Sequence, residues 1–272
     1  MNTHKKHLLI FGNGYVAGFL ADAAAALGFT VTISSRTPQS SAHPTNIALH
    51  QFGTPLPEGI THLVSTVPPQ DGADPVLAAY PAFPKSVEFV GYLSSTGVYG
   101  DYDGQEVTEQ SPLKAKADRS VARMQAEKQW HTLTPPAHIF RLSGIYGPGR
   151  NMLERVKAGK IDSLEKSERP VNRIHVDDIC QIVLEAISKP SDVTEIYNVA
   201  DDVAAPTYQV VEYAAKLLGV ELTGDDTQKS HLNDGSRVVN CDKAKKQLGI
   251  SWRYPTYKAG LDALYAELTP HS

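Results

Sequence analysis

Residues 7–18 read His7-Leu8-Leu9-Ile10-Phe11-Gly12-Asn13-Gly14-Tyr15-Val16-Ala17-Gly18, and this stretch decides the fold. A short apolar run that stops on glycine has the character of a strand buried on both faces. The alanine-rich segment 15–27 that follows is helix-forming, and Gly28 stops it. Phe29 to Ser34 then returns as a second β-rich run. Strand, glycine turn, helix and strand within about 30 residues make a βαβ unit. In such a unit Gly12 permits the tight turn and Gly14 lets backbone approach a pyrophosphate. Small Ala17 or Gly18 allows helix and strand to pack closely. The amides and dipole at the helix start favour phosphate charge, which places Gly12, Asn13, Gly14, Tyr15 and Val16 at a dinucleotide.

The same alternation continues outward. Segments 61–67, 87–95, 138–144 and 194–200 are strand-like, and 117–132, 178–188, 207–218 and 257–267 are helical. This pattern predicts an α/β fold with a doubly wound parallel sheet, Rossmann-like, and a smaller C-terminal substrate lobe. Residues 1–146, continued by 174–201, are expected to form the dinucleotide-binding domain. Residues 147–173 and 202–272 are expected to form a lobe over the carboxyl ends of the strands.

The end of the second strand bears on the choice of cofactor. Ser34-Ser35-Arg36-Thr37 carries no acid to hold both ribose hydroxyls, and Arg36 lies 24 residues after Gly12. A guanidinium fork suits a phosphate dianion, and Ser35 can donate a further hydrogen bond, so NADP is expected over NAD. The alternative reading makes Arg36 a solvated loop arginine. Thr66-Val67-Pro68-Pro69 ends another strand, where ligands collect in such sheets, and is read either as cofactor contact or as a plain rigid turn.

Four further segments carry a family resemblance. Leu93-Ser94-Ser95-Thr96-Gly97-Val98-Tyr99-Gly100 resembles the S-S-x-x-V-Y-G segment of extended short-chain dehydrogenases/reductases. Residues 141–150 (RLSGIYGPGR) are similar to their R-x-x-x-I/V-Y-G-P-G-R strand end. Residues 173–178 (RIHVDD) resemble their R-x-x-H-V-D-D segment, and 197–199 (YNV) their Y-N-V strand. Together these match the NAD(P)-dependent epimerase/dehydratase group, in the correct order over nearly the whole chain. The resemblance implies NADP(H)-linked oxidoreductase or epimerase/dehydratase chemistry on a small polar or sugar-nucleotide substrate. It also implies a Ser–Tyr–Lys mechanism, with Ser95 at the serine position, Ser94, Gly144 and Tyr146 beside the cofactor, and a turn at 146–149 near the nicotinamide.

One part of that mechanism is missing. Counting back from Glu127 puts Arg123 where the lysine belongs and Arg119 where the tyrosine belongs. Arginine stays protonated at neutral pH and is a poor general acid or base. A proton would have to come from Tyr99, Tyr102, Tyr146 or the substrate itself. Tyr99 reads equally as a buried tyrosine with a satisfied hydroxyl, and Ser95 as a serine that caps nearby backbone. The loss of the dyad also allows a non-catalytic NADP(H)-responsive binding protein. His175, Asp177 and Asp178 lack a recognised metal spacing; Asp177 or Asp178 is expected to cap a helix, and no metal is expected. Arg150 meets either a substrate anion or solvent. Residues 101–104 and 114–116 are expected to form a mobile flap over the pocket.

The bulk numbers exclude other classes. A net charge of −4 on 272 residues offers no broad basic field for nucleic acid or anionic membrane. Two cysteines, Cys180 and Cys241, give no disulfide framework and suit a reducing cytosol. The Lys5–Phe11 stretch lacks a cleavage site, and no run approaches the roughly 20 apolar residues of a membrane helix. A small-molecule substrate and a cytoplasmic location are expected. The oligomeric state stays open, with a homodimer as one arrangement.

Overall fold

The computed structural model describes residues 6–37, 47–70, 72–161, 167–222 and 235–268. In chain order the elements are β1 (His7–Phe11), α1 (Tyr15–Ala26), β2 (Thr30–Ser35), β3 (Ile47–Gln51), β4 (His62–Ser65), α2 (Pro75–Ala79) and β5 (Phe89–Ser95). A single 3-10 turn over Thr96–Tyr99 follows, then β6 (Glu106–Val107), α3 (Asp118–Trp130), β7 (Ala137–Leu142), β8 (Gly144–Tyr146) and α4 (Met152–Lys157). The remainder is β9 (Arg173–His175), α5 (Val176–Ser188), β10 (Glu195–Val199), α6 (Thr207–Leu218), β11 (Val238–Val239), α7 (Asp242–Leu248) and α8 (Tyr257–Leu268).

Alternation along β1 builds the layers. Leu8 and Ile10 enter one apolar core with α1, α5 and α7, while Leu9 and Phe11 enter a second with Val76 of α2 and Trp130 of α3. A strand covered on both faces is apolar throughout, which is why β1 lacks a polar side. The seven-stranded sheet runs β10-β7-β5-β4-β1-β2-β3, and every pairing in it is parallel. The chain works outward from β1 to β3, then restarts at β4 on the other side. That reversal opens a crevice at the carboxyl ends of β1 and β4, where Phe11 pairs with both Ser34 and Ser65. The expected doubly wound Rossmann-like sheet is the observed one.

A third apolar cluster lies apart from the sheet. Leu153 and Val156 of α4, Val210 and Val211 of α6, and Leu261 and Leu264 of α8 pack together. Val239, Ala244, Leu248 and Trp252 pack instead into the core under the sheet.

Several elements differ from the sequence expectation. The edge strand β3 was not anticipated, because only Ile47 of its five residues is buried and no apolar run marks it. The strand expected at 138–144 breaks at Ser143, whose N–H bonds the Val199 carbonyl, so that β8 leaves to pair with β9. Helix α5 begins two residues early, at Val176. Its cap is His175, whose Nδ1 accepts from the Asp177 N–H at 3.2 Å, and neither Asp177 nor Asp178 fills that role. Asp177 stays in the first turn, where the helix dipole favours it. Asp178 is fully buried and accepts from the Arg253 and Tyr254 amides at 2.6 and 3.1 Å.

Candidate active site

The glycine turn is shaped by what lies against it. Gly12 has φ +101°, and a Cβ there would sit 2.4 Å from Thr66 Oγ1. Thr66 is fixed in turn, with both its N–H and its hydroxyl donating to the Phe11 carbonyl at 2.9 Å. The expected cofactor loops after β1 and β4 are thus in direct contact. Gly14 precedes α1 in extended backbone; no side chain caps the helix, no acid occupies its first turn, and nothing lies within 4 Å of a Cβ built on Gly14. The start of α1 therefore keeps an uncompensated positive dipole end beside the open space at Gly14, and these residues fit a pyrophosphate. Exposed Asn13 and buried Val16 flank the opening.

Tyr15 ties this turn to a second one. Its hydroxyl donates to the Pro148 carbonyl at 2.8 Å, and the Arg150 guanidinium lies 5.6 Å from its ring centre. Burial pushes the Tyr15 hydroxyl up to about 12. Gly147, at φ +155°, leaves the room required: a Cβ there would be 2.7 Å from Tyr15 Oη and 2.8 Å from Val176 Cγ1. At the end of β2, exposed Arg36 has its carbonyl held by Gln51 Nε2 at 3.0 Å, and Ser35 Oγ accepts from the Thr37 N–H at 3.3 Å. The strand β3 that the sequence hid is what steadies the loop bearing Arg36. Val67 is half-buried against the core, and Pro68 is exposed beside it.

At the carboxyl end of β5, Ser95 Oγ accepts from the Gly97 N–H at 3.1 Å and so caps the 3-10 turn. That bond uses a lone pair and leaves the hydroxyl proton for a substrate oxygen. Tyr99 is placed otherwise. It is fully buried, donates to Asn198 Oδ1 at 2.6 Å and accepts from Arg141 Nη1 at 2.9 Å. Both hydrogen-bond directions of its hydroxyl are thus committed within the fold, and burial raises its pKa to about 12. Tyr102 donates to the Pro112 carbonyl at 2.6 Å. Tyr146 is packed against Gly260, where a Cβ would overlap its ring and hydroxyl, and against His175 at 5.1 Å between ring centres. Burial holds its hydroxyl well above the usual phenol range.

Ser94 is a further correction. Its side chain donates to buried Glu127 at 2.6 Å, which commits its proton to the fold. Glu127 also pairs with buried Arg141 at 2.7 Å, and Asn198 N–H donates to Glu109 at 2.8 Å. The conspicuous residues of the V-Y-G, R-x-x-x-I-Y-G and Y-N-V segments thus meet in one buried polar network joining β5, α3, β7 and β10.

Helix α3 also changes the account of the missing dyad. Ser120, Glu127 and Trp130 are its buried polar and aromatic positions, while Arg119 is exposed at the side. Arg123 donates to the Leu93 carbonyl at 3.0 Å. A Cβ on Gly97 would lie 2.9 Å from Ser120 Oγ and 3.3 Å from Ser95 Oγ. Ser120 is therefore the helix residue that reaches the strand end. Counting two turns back from Glu127 finds it, since seven residues restore the same face of a 3.6-residue helix.

Two cavities adjoin these groups. A cleft of about 650 Å³ lies between β8 and the lobe, walled by Gly144, Tyr146, Val210 and Leu261 and carrying Arg150, Arg155, Lys160 and Arg173. Its described carboxylate, Glu154, already accepts from the Gly149 N–H and Asn151 Nδ2. A smaller recess of about 200 Å³ runs from Ser95 and Gly97 to Gly144 and Arg237. Among the described residues, no group of three or more His, Cys, Asp or Glu could hold a metal ion. Among them also, no helix is long and apolar enough to cross a membrane.

The NAD-dependent epimerase/dehydratase family matches residues 72–200, the segment that contains β5, α3, β7 and α5. Over that segment the chain is similar to that family. A protein of unknown function from Silicibacter pomeroyi is 37% identical, with a TM-score of 0.89 over 97% of this chain and 99% of its own. A protein from Methylobacillus flagellatus, proposed to be an NAD-dependent epimerase/dehydratase, is 23% identical at a TM-score of 0.77, covering 98% and 99% of the two chains. The dTDP-glucose 4,6-dehydratase of Bacillus anthracis, solved with NAD, shares 18% identity and a TM-score of 0.77 over 97% of each chain. No curated protein matches the chain.

Proposed function

We propose that this protein is an NADP(H)-dependent oxidoreductase or epimerase/dehydratase acting on a small polar substrate of sugar-nucleotide type. The observation that carries the reading is the uncapped start of α1 at the β1/β4 switch point, beside a loop that presents Arg36 and no acid. Gly12, Asn13, Gly14, Tyr15 and Val16 would hold the pyrophosphate, Ser35 and Arg36 the 2′-phosphate, and Thr66, Val67 and Pro68 the neighbouring ribose. Gly144 and Tyr146 border the reacting end. When bound, the cofactor supplies hydride exchange at the nicotinamide ring. Ser95 orients the substrate oxygen through its free proton, and the Tyr15–Pro148 bond keeps the two turns in register.

No tyrosine takes the place of the missing one in this scheme, so proton transfer falls to solvent or to the substrate itself. Purified protein should bind NADPH in calorimetry and oxidise it with a carbonyl substrate drawn from a sugar-nucleotide panel. Absence of NADPH binding at millimolar concentration would end the reading.

A second reading follows from Arg123, whose guanidinium is spent on the Leu93 carbonyl. On that view the protein binds NADP(H) without turning it over, and the cofactor alters affinity for a partner. Tight NADPH binding with no oxidation across the panel favours this reading.

A further inference from the structure

The cavities along the site adjoin one another. Gly144 and Val171 border both the lobe cleft and the recess at Ser95, while Gly97 and Gly235 border both that recess and a third cavity of about 380 Å³. This third cavity lies over the start of α3, where Ala117 and Ser120 line it. Lys114, Lys116 and Arg169 line it, with one carboxylate, Asp101, among the described lining residues. Asp101 is already engaged, accepting from the Ser236 and Asp103 amides at 2.8 and 3.1 Å.

We propose that this cavity binds an oxyanion, a carboxylate or phosphate borne by the substrate at the end remote from the lobe cleft, held by Lys114, Lys116 and Arg169 with the Ser120 hydroxyl donating to it. The proposal rests on the functional reading above, because it requires a substrate lying along the adjoining cavities. Three observations support it. First, three cations face one committed carboxylate in a chain whose net charge is −4, so the local excess is not a general basic field.

Second, Ser120 is 5% exposed and lines the cavity, with its hydroxyl beside Gly97 at the wall. A serine hydroxyl at a cavity wall can donate to an oxyanion that arrives there. Third, the walls are fixed in place. The Lys114 N–H donates to the Tyr99 carbonyl at 3.1 Å, its ammonium stands 3.9 Å over the Tyr102 ring, and a Cβ on Gly100 would strike the Lys114 backbone at 2.7 Å. The segments expected from sequence as a mobile flap are hydrogen-bonded down, with the Tyr102 N–H on the Ser236 carbonyl at 2.9 Å. Ala117 opens α3 without a side-chain cap, and Asp118 in the first turn offsets the dipole, so the positive potential there rests on the three cations.

Calorimetric titration of inorganic phosphate, and separately of acetate, into the full chain with and without NADP⁺ tests the site. The loaded wild type should take up phosphate both here and in the lobe cleft. Lys116→Gln, Arg169→Gln and Ser120→Ala should each weaken the first event roughly tenfold, as expected for loss of one charge-assisted contact. Ser120→Thr should preserve it, and Arg155→Gln should weaken only the second event. Unfolding midpoints matching wild type show that the variants are folded. Isotherms of all three cavity variants that coincide with wild type would overturn the proposal, as would a single binding event abolished by Arg155→Gln. A preference for phosphate or for acetate supports the site and names the group. Failure of NADP⁺ to bind while phosphate behaves as described would sink the cofactor reading and leave the anion site standing.

Discussion

At the scale of single residues, the chemistry divides between side chains that face ligand space and side chains consumed by the fold. Arg36 belongs to the first kind: its backbone is pinned by Gln51, and its guanidinium is exposed at the carboxyl edge of the sheet. Charge-assisted hydrogen bonds to a phosphate contribute about 1.5–3 kcal/mol. Arg36→Ala should therefore weaken NADPH binding by roughly ten- to a hundredfold while changing NADH affinity less than about twofold. Parallel titrations check this, and equal losses for both cofactors would remove Arg36 as the phosphate reader. Tyr99 belongs to the second kind. Its place in the V-Y-G segment looks catalytic in sequence, yet its hydroxyl is fully used by Asn198 and Arg141.

At the scale of elements, the buried network around Arg141 and Glu127 fastens α3 to three strands. Arg141 and Glu127 are about 3% and 5% exposed and 2.7 Å apart, and Ser94 and Tyr99 complete their hydrogen bonds. Removing one partner of such a pair strands the other charge and typically costs about 3–5 kcal/mol. Glu127→Ala should thus lower denaturant stability by about that amount, whereas a Glu127→Leu, Arg141→Met double replacement should lose markedly less. Chemical denaturation of the three proteins decides it; equal loss in single and double variants would show that the charge pair is not the source. The same elements show what was legible. The α1 and α6 boundaries follow directly from helix formers and glycine stops, because local propensity and tertiary packing agree there. The edge strand β3 was hidden because a strand with one covered face and polar neighbours carries no apolar run. Ser120 was passed over because alignment by motif spacing points to Arg119, whereas the face of α3 is set by its packing against β5 and β7.

At the scale of the whole molecule, burial sets the response to acid. His62, His138 and His175 each have pKa values lowered from 6.5 to about 4, with desolvation as the leading cause. Their folded pKa lies below the unfolded one, so the stability tied to the neutral rings is complete above pH 6.5 and is lost as pH falls through about 4. Asp201 acts in the opposite sense. Burial raises it from 3.8 to about 7, so its contribution is full below pH 3.8 and is lost as pH rises through about 7. His7 is lowered as well, and burial also raises Asp74 and Asp178, so four histidines against three aspartates predict a net fall in stability from pH 6.5 to 4. Thermal unfolding across that range should show the midpoint dropping, and His138→Phe, at a ring stacked among Phe89 and Tyr197, should flatten the drop. A midpoint independent of pH over this range would contradict the assignment.

The sequence by itself determined the parallel doubly wound sheet, the glycine turn and the loop that carries Arg36, because each depends on residues near one another along the chain. Periodicity, glycine placement and strand–helix alternation are local signals that burial merely ratifies. Only the tertiary structure decided that Tyr99 and Ser94 serve the fold, that His175 caps α5, and that Ser120 meets Ser95 across Gly97. Those roles depend on which side chains from distant segments compete for the same hydrogen bonds, and that competition exists only once the chain is packed.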